Sequence, residues 1–579
     1  MCLAWLVIRI LSQNQHLNIG KRCKMKVDKI IRNANVFTSA ARDFHATAFA
    51  VKDGKFVYVG DEEGLKDYEG ETEDLGGKFV MPGIIDSHMH LGLSVVFEYT
   101  PELVPITCDS KQECLDFIRN YVNANPGREI YKFVLGFFYL HGEKLTRWDL
   151  DEISRDAQIV VMEAVGHSGW ANSKVIEDLG MTDDVEDISA GLSRYDRDEK
   201  GRLTGFATEA AFQPFNSGHV KDITDEQIRA ALQRWIDYCL KIGITCVYEA
   251  GSPRGVNFHE RVMQVLCDMD NEGKLPITIE SSYMIIDPRQ IETCIDTLKG
   301  MDRRFNTEHV HCRIMKMMMD GIESGRSAAV IEPYDDGTCG GRLTDEVKLS
   351  KLLVKLNKER LDFHAHTVGE LAVKTVLDAV ELAQNEIGGK LLINVTVAHL
   401  GIVRDEDILR LAPLGVIANY TPEWHGGTSI PGGVQAAVEL LGEKRGRNLN
   451  KSGMMWRNGT LVTFSSDNIA FGDFGAWSPF LGMEVGILRK DVSLSPVPGD
   501  YSATEFYPPE SECMTIEQML LGYTINGAKQ LRLEKTKGSI EVGKDADYLV
   551  LKENLLTIPA EGMKNIVPEE VYFSGVKMN

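Results

Sequence analysis

Residues 81–90 read MPGIIDSHMH: a Pro-Gly turn, an apolar pair, an aspartate, and two histidines one residue apart. On a strand, residues two apart point to the same side, so His88 and His90 present two imidazoles to one face. The same spacing recurs at HVH (His309, His311) and HAH (His364, His366). Neutral imidazoles suit Zn2+, Fe2+ or Mn2+, but the spacing alone carries little information. The place of each pair on its strand has to separate chemistry from coincidence.

Downstream, β-like runs alternate with helical stretches, the pattern of parallel βα units. The runs are ITCVYEAG (244–251), LPITIESSYMI (275–285), CRIMKMMMDG (312–321), LDFHAHTVG (361–369), NVTVAHLG (394–401), GVIANYTP (415–422) and LVTFSSDN (461–468). With GIIDSHMH they make eight. Val373, Val376, Leu377 and Val380 give an intervening helix its apolar stripe. We expect an α/β fold, a (β/α)8 barrel over residues 81–529, with residues 93–225 as a lid-like subdomain inserted after the first strand. Residues 25–80 and 530–579 carry short strand signals, among them AFAVKDGKFVYVG with its Asp53-Gly54 hairpin turn. These two ends should meet in one small β-sandwich. Residues 1–24 contain LAWLVIRIL, which Arg9 interrupts and which is too short to span a bilayer. They are expected to be disordered or an upstream-start segment ahead of Met25.

A net charge of −22 argues against nucleic acid or anionic membrane as partners, since both attract basic patches. The eleven cysteines form no C-x-x-C pair, so reduced, buried thiols in a cytoplasmic protein are expected.

In a βα barrel the strand ends carry the active site. His88 and His90 end the first strand, His366 sits near the end of the fifth, His399 near the end of the sixth, and Asp467 ends the eighth. Four histidines and an aspartate at these ends are hard to reach by chance. His309 and His311 begin the fourth strand, at the opposite face, and read as structural; His364 lies one pleat deeper than His366 and reads as packed or supporting.

The order HMH, a lysine on strand four, single histidines on strands five and six, and SSD on strand eight resembles the amidohydrolase superfamily, nearest its family 3 of YtcJ-like metal-dependent hydrolases. PGIIDSHMHL, GHSGWANSKVIEDLGM, LTGFATE, KMMMDGIESGRSAAV, VAHLGIVRDEDILRLAPLGVIANYTPEW and GSIEVGKDADYLVL carry the resemblance, which runs from about residue 28 to 555. It implies one or two divalent metal ions, zinc first. His88 and His90 would hold the first ion with Asp467, His366 and His399 the second, and Lys316 would be a carboxylated bridge. Two departures stand out: HTVGE places Glu370 where the family has Asp, and the turn at LGFFYLHGE is altered. His167 and Glu209 of the insertion, with Arg326, Tyr334, Trp424 and His425, are candidate substrate contacts.

The implied chemistry is hydrolysis of a C–N bond, of amide type and outside the peptide backbone. A metal-activated hydroxide would attack, with Asp467 as general acid and base. The substrate would be a small molecule, and a homodimer fits the class. A deaminase or cyclic-amide hydrolase on the same scaffold is the alternative, and a non-catalytic small-molecule-binding barrel the alternative of another class.

Overall fold

The computed structural model describes residues 24–40, 45–100, 103–108, 110–135, 143–163, 166–216, 220–252, 257–427, 433–469, 478–492 and 504–578. Residues 1–23 of the leading segment and residues 136–142 of the altered turn lie outside these.

Eight parallel strands form one sheet in strict sequence order: β1 (Ile84–Met89), β2 (Ile244–Glu249), β3 (Thr278–Ile285), β4 (Val310–Met318), β5 (Asp362–Thr367), β6 (Val395–His399), β7 (Val416–Tyr420) and β8 (Val462–Phe464). All eight expected runs are strands. Closure runs past the last ladder: Ser87 Oγ donates to Phe464 O at 2.8 Å. The Asp467 amide donates to His88 O and the His90 amide to Asn468 O, each at 2.9 Å. Asp467 itself therefore lies three residues beyond the short β8, not at its end. Because its amide is tied to β1, its side chain still faces the barrel mouth.

The helices wrap the barrel with the apolar stripes that the periodicity predicts. Glu370–Ile387 buries Val373, Val376, Leu377 and Val380 and ends at Gly388, whose φ of 69° supplies the left-handed cap. Their side chains join the strands in one continuous core around Trp235, Phe258, Leu377 and Phe464.

Strands from the two flanking stretches pair. Tyr548–Leu551 pairs antiparallel with Phe79–Pro82, Leu549 opposite Met81, inside a six-stranded sheet. A four-stranded sheet containing Met25–Arg32 packs on it through Phe49, Phe56 and Tyr548. The Asp53-Gly54 turn has φ of 50° and 74°, both positive as a type I′ hairpin requires. Between β1 and β2 lies a separate mixed sheet of six strands, from Leu103–Pro105 to Leu203–Thr208, with its own core of Cys114, Ile118, Phe133 and Trp170. No helix among the described residues is long and apolar enough to cross a membrane.

Candidate metal centre

Three of the HMH and HAH imidazoles meet inside the barrel mouth. His88 Nδ1 lies 2.9 Å from His364 Nε2, and His90 Nδ1 lies 2.7 Å from Gly251 O. With both Nδ1 atoms engaged, the two Nε2 atoms converge on one oxygen, each 3.4 Å from Asp467 Oδ1. The other carboxylate oxygen, Oδ2, is 3.8 Å from His399 Nδ1. Donor atoms of His88, His399 and Asp467 all lie within 4.8 Å of one another.

These residues fit a divalent ion. Asp467 Oδ1 and His399 Nδ1 are buried atoms without a hydrogen-bond partner, an expensive state for polar atoms unless a ligand takes them up. Burial, reinforced by the nearby Lys316 and the neighbouring histidines, holds the imidazoles of His88, His364 and His399 well below their usual pKa. They are thus in the neutral form that binds metal. His364, with its nitrogen on His88, acts as the orienting partner that metal-bound imidazoles characteristically have.

The expected set is His88, His90 and Asp467 for one ion and His366 and His399 for the other, and His399 lies between the two groups. His399 sits with His88 and Asp467, its ring centroid 4.9 Å from that of His88 and 4.5 Å from that of His366. The cause is local: at the end of β6 His399 has φ of 77° and Leu400 φ of 50°, a left-handed step that swings the ring across the mouth. Asp467, at φ of 50°, and Glu209, at 54°, share this uncommon conformation, which persists only where surroundings enforce it.

Lys316 is fully buried, its Nζ 3.1 Å from His88 Nε2. Burial, only partly offset by Asp467 and Glu249, brings its amine down to about 7. His366 Nδ1 is held at 3.2 Å by Asp320 Oδ1, whose carboxylate also accepts the Val368, Gly369 and Ala329 amides. Asp320 is a functional residue the sequence reading missed, although it stands in the same KMMMDG run as Lys316. Asp86 was missed as well; it accepts the His88 and Ser466 amides and so ties β1 to the Asp467 loop. Glu249 accepts the Leu91 and Gly92 amides at the start of the helix that follows His90.

Above the metal ligands opens a cavity of about 430 Å³ lined by His90, His366, His399 and Asp467 and, from the insertion, by His167 and Glu209. His167 Nδ1 is 2.7 Å from Glu209 Oε2, and Ser327 Oγ donates to Glu209 Oε1, also at 2.7 Å. Burial opposes charge on His167, but Glu209 outweighs it and lifts the imidazole to about 9. Gly321 makes this contact with the barrel feasible, since a Cβ there would lie 2.1 Å from Glu209 Oε1.

Of the other candidate contacts, Trp424 lines the cavity and stacks on His399 at a centroid distance of 5.4 Å. Arg326, Tyr334 and His425 are not among its lining residues. Arg326 is drawn outward by Asp335, 2.9 Å away. The Tyr334 hydroxyl donates to Ala328 O, and His425 is packed edge-on against Tyr420. Glu370 does not support His366: its Oε1 accepts the Ile331 and Glu332 amides and lies 3.5 Å from Arg445. His309 and His311 pair with Asp270 and Glu280 at the far end of β4.

Residues 71–577 match the amidohydrolase family. The N-substituted formamide deformylase of Arthrobacter pascens is 25% identical over 95% of this chain and 98% of its own length. YtcJ of Bacillus subtilis is 24% identical over 91% and 94%. The crystal structure of a metal-dependent hydrolase from Pyrococcus horikoshii superposes with a TM-score of 0.64 at 22% identity, covering 92% of this chain and 99% of that one.

Proposed function

The chain belongs to the amidohydrolase family, and on that premise we propose a metal-dependent hydrolase that cleaves a C–N bond outside the peptide backbone. The observation that carries this reading is the convergence of the His88 and His90 Nε2 atoms on Asp467 Oδ1. His88, His90, His399 and Asp467 would hold the ion, with His366 and Lys316 placed to complete a second position. Zinc is the first choice, because imidazole and carboxylate donors with an open position are its catalytic set. A divalent ion bound there supplies Lewis acidity and lowers the pKa of water toward 7.

The chain's own groups do the rest. Asp467, free of other partners at Oδ1, takes the proton of the attacking water and returns it to the leaving nitrogen. The Asp467 loop is anchored to β1 through backbone bonds, so this carboxylate is positioned before substrate arrives, which lowers the cost of orientation. His167, bonded to Glu209, faces the same cavity and can donate to a substrate oxygen. The inserted sheet, residues 93–225, would act as the lid that carries this pair, and residues 25–80 with 530–579 as the small β-sandwich beside the barrel. A cytoplasmic setting and a homodimer are part of the proposal, the first from a sequence whose cysteines form no C-x-x-C pair, the second by likeness of class.

Elemental analysis of the purified protein and of Asp467→Asn tests the assignment. Wild type should carry one or two equivalents of metal. The variant should keep most of it and lose roughly a thousandfold or more in turnover of simple amides, the scale of removing an essential acid–base group. Near-normal turnover in Asp467→Asn would end the assigned role, and a protein that takes up no metal after reconstitution would favour the binding-barrel alternative.

A further inference from the structure

The cavity specifies what hangs off the scissile bond. Its volume of about 430 Å³ lies in the range of small-molecule sites and leaves room well beyond one amide group. Over the polar floor its walls are mostly apolar, although Ser193, Gln213 and Asn216 also belong to the lining. Val96 and Phe97 come from the helix after β1, Met162 from the inserted sheet, Phe212 from the turn after that sheet's last strand, Ile286 from beyond β3 and Ile322 from beyond β4.

The charges in the lining are one-sided. Glu209, Glu323 and Asp467 contribute carboxylates and Asp320 a carboxyl that burial pushes up to about 8, while no lysine or arginine is among the described lining residues. The one imidazole raised toward a cation, His167, is already bonded to Glu209. Asp320 is spent on three backbone amides and His366. A substrate carboxylate held in the upper cavity, away from the metal position, would lose its water with no lysine or arginine among the described lining residues to pair with, which costs several kcal/mol. An uncharged apolar group would instead gain about 25 cal/mol for each Å² it buries.

We infer that the substrate is an amide whose remaining substituent is uncharged and apolar, an aryl or branched alkyl group, and that the cavity rejects substituents ending in a free carboxylate. This rests on the hydrolase reading for the scissile group and adds which amides enter. Phe97, half-buried on the wall, is assigned as a specificity-determining residue.

Titration calorimetry of the zinc-loaded full chain with hydroxamates tests this, because the chelating head binds metal whether or not turnover occurs. Tails of equal length should end in phenyl, carboxylate or ammonium. The phenyl tail should bind at least about tenfold tighter than the carboxylate one, whose lost hydration no lysine or arginine of the lining offsets, and the ammonium tail, which the lining carboxylates partly offset, should fall between them. Phe97→Arg should narrow or reverse the gap between phenyl and carboxylate, and Ile286→Arg offers the same test on another wall should the first variant not fold. A carboxylate tail that binds as tightly as phenyl, or a ranking unmoved by both arginines, would overturn the inference. Failure of the hydrolase reading would look different: apolar amides left intact by a protein whose hydroxamate ranking holds.

Discussion

The HMH pair of β1 and the HVH pair at the start of β4 have the same spacing, and in both each histidine lies near a carboxylate. The difference is convergence. His88 and His90 have their Nδ1 atoms taken by His364 and Gly251, so both Nε2 atoms aim at one oxygen of Asp467. His309 and His311 go separate ways, to Asp270 at 2.7 Å and to Glu280 at 3.1 Å, and Glu280 is also held by Arg313 at 2.7 Å. A metal site is thus made by nitrogens whose other partners force them to share a target. Two histidines that each lie against a different acid share no target for an ion.

The sharpest break of this comparison is reciprocal removal. His88→Ala with His90→Ala should abolish stoichiometric metal and activity together. His309→Ala with His311→Ala should keep both and cost only about 1 kcal/mol of stability per lost contact, because Glu280 stays bonded to Arg313 and Asp270 to the backbone amide of residue 309. Metal analysis and thermal unfolding of the two double variants read this directly, and equal metal loss in both would erase the distinction.

Next in size is the group that makes the nitrogens converge. His364→Phe keeps the metal ligands but frees His88 Nδ1, so metal affinity measured by competition with a chelator should fall about 10- to 100-fold. An unchanged affinity would mean that barrel packing alone orients His88.

A buried basic group with no part in the centre sharpens the contrast through pH. Lys132, in the inserted sheet, donates to the backbone and side-chain oxygens of Asn216, and burial lowers its amine from 10.5 to about 7. Between these values the unfolded chain binds the extra proton, so stability rises with pH across that window. Lys132→Met should therefore stabilise most at pH 7 and below, by up to a few kcal/mol. The pH-dependent part of the gain should vanish near pH 10.5 in denaturant melts. A gain independent of pH would assign the effect to packing.

The smallest expected change is at Glu370. Glu370→Gln should leave metal content intact and cost about 1 kcal/mol, because the side chain fastens the loop at Ile331 and Glu332 rather than His366. Loss of metal in this variant would return Glu370 to the centre.

Much of this molecule was legible in the chain because strand periodicity is local. The eight runs became eight strands, and the Asp53-Gly54 turn formed the hairpin it announced. Trp424, His167 and Glu209 were found at the cavity. Arg326, Tyr334 and His425 were not, since nearness in sequence to a motif says nothing of which way a side chain is drawn. Arg326 answers to Asp335, and Tyr334 to a backbone carbonyl. Asp320 escaped notice because a carboxylate beside a strand end has no periodic signature; its role appears only when His366, 46 residues on, comes to lie against it.

The sequence by itself determined the barrel and the roster of histidines and carboxylates at its mouth, because apolar alternation and residue spacing are set along the chain. The tertiary structure alone decided which nitrogen of each histidine is left open, that His399 joins His88 and Asp467, and that the walls above them are mostly apolar. Those outcomes depend on partners as distant as His88 and His364, 276 residues apart, and on left-handed turns at His399 and Asp467 that only the closed barrel holds in place.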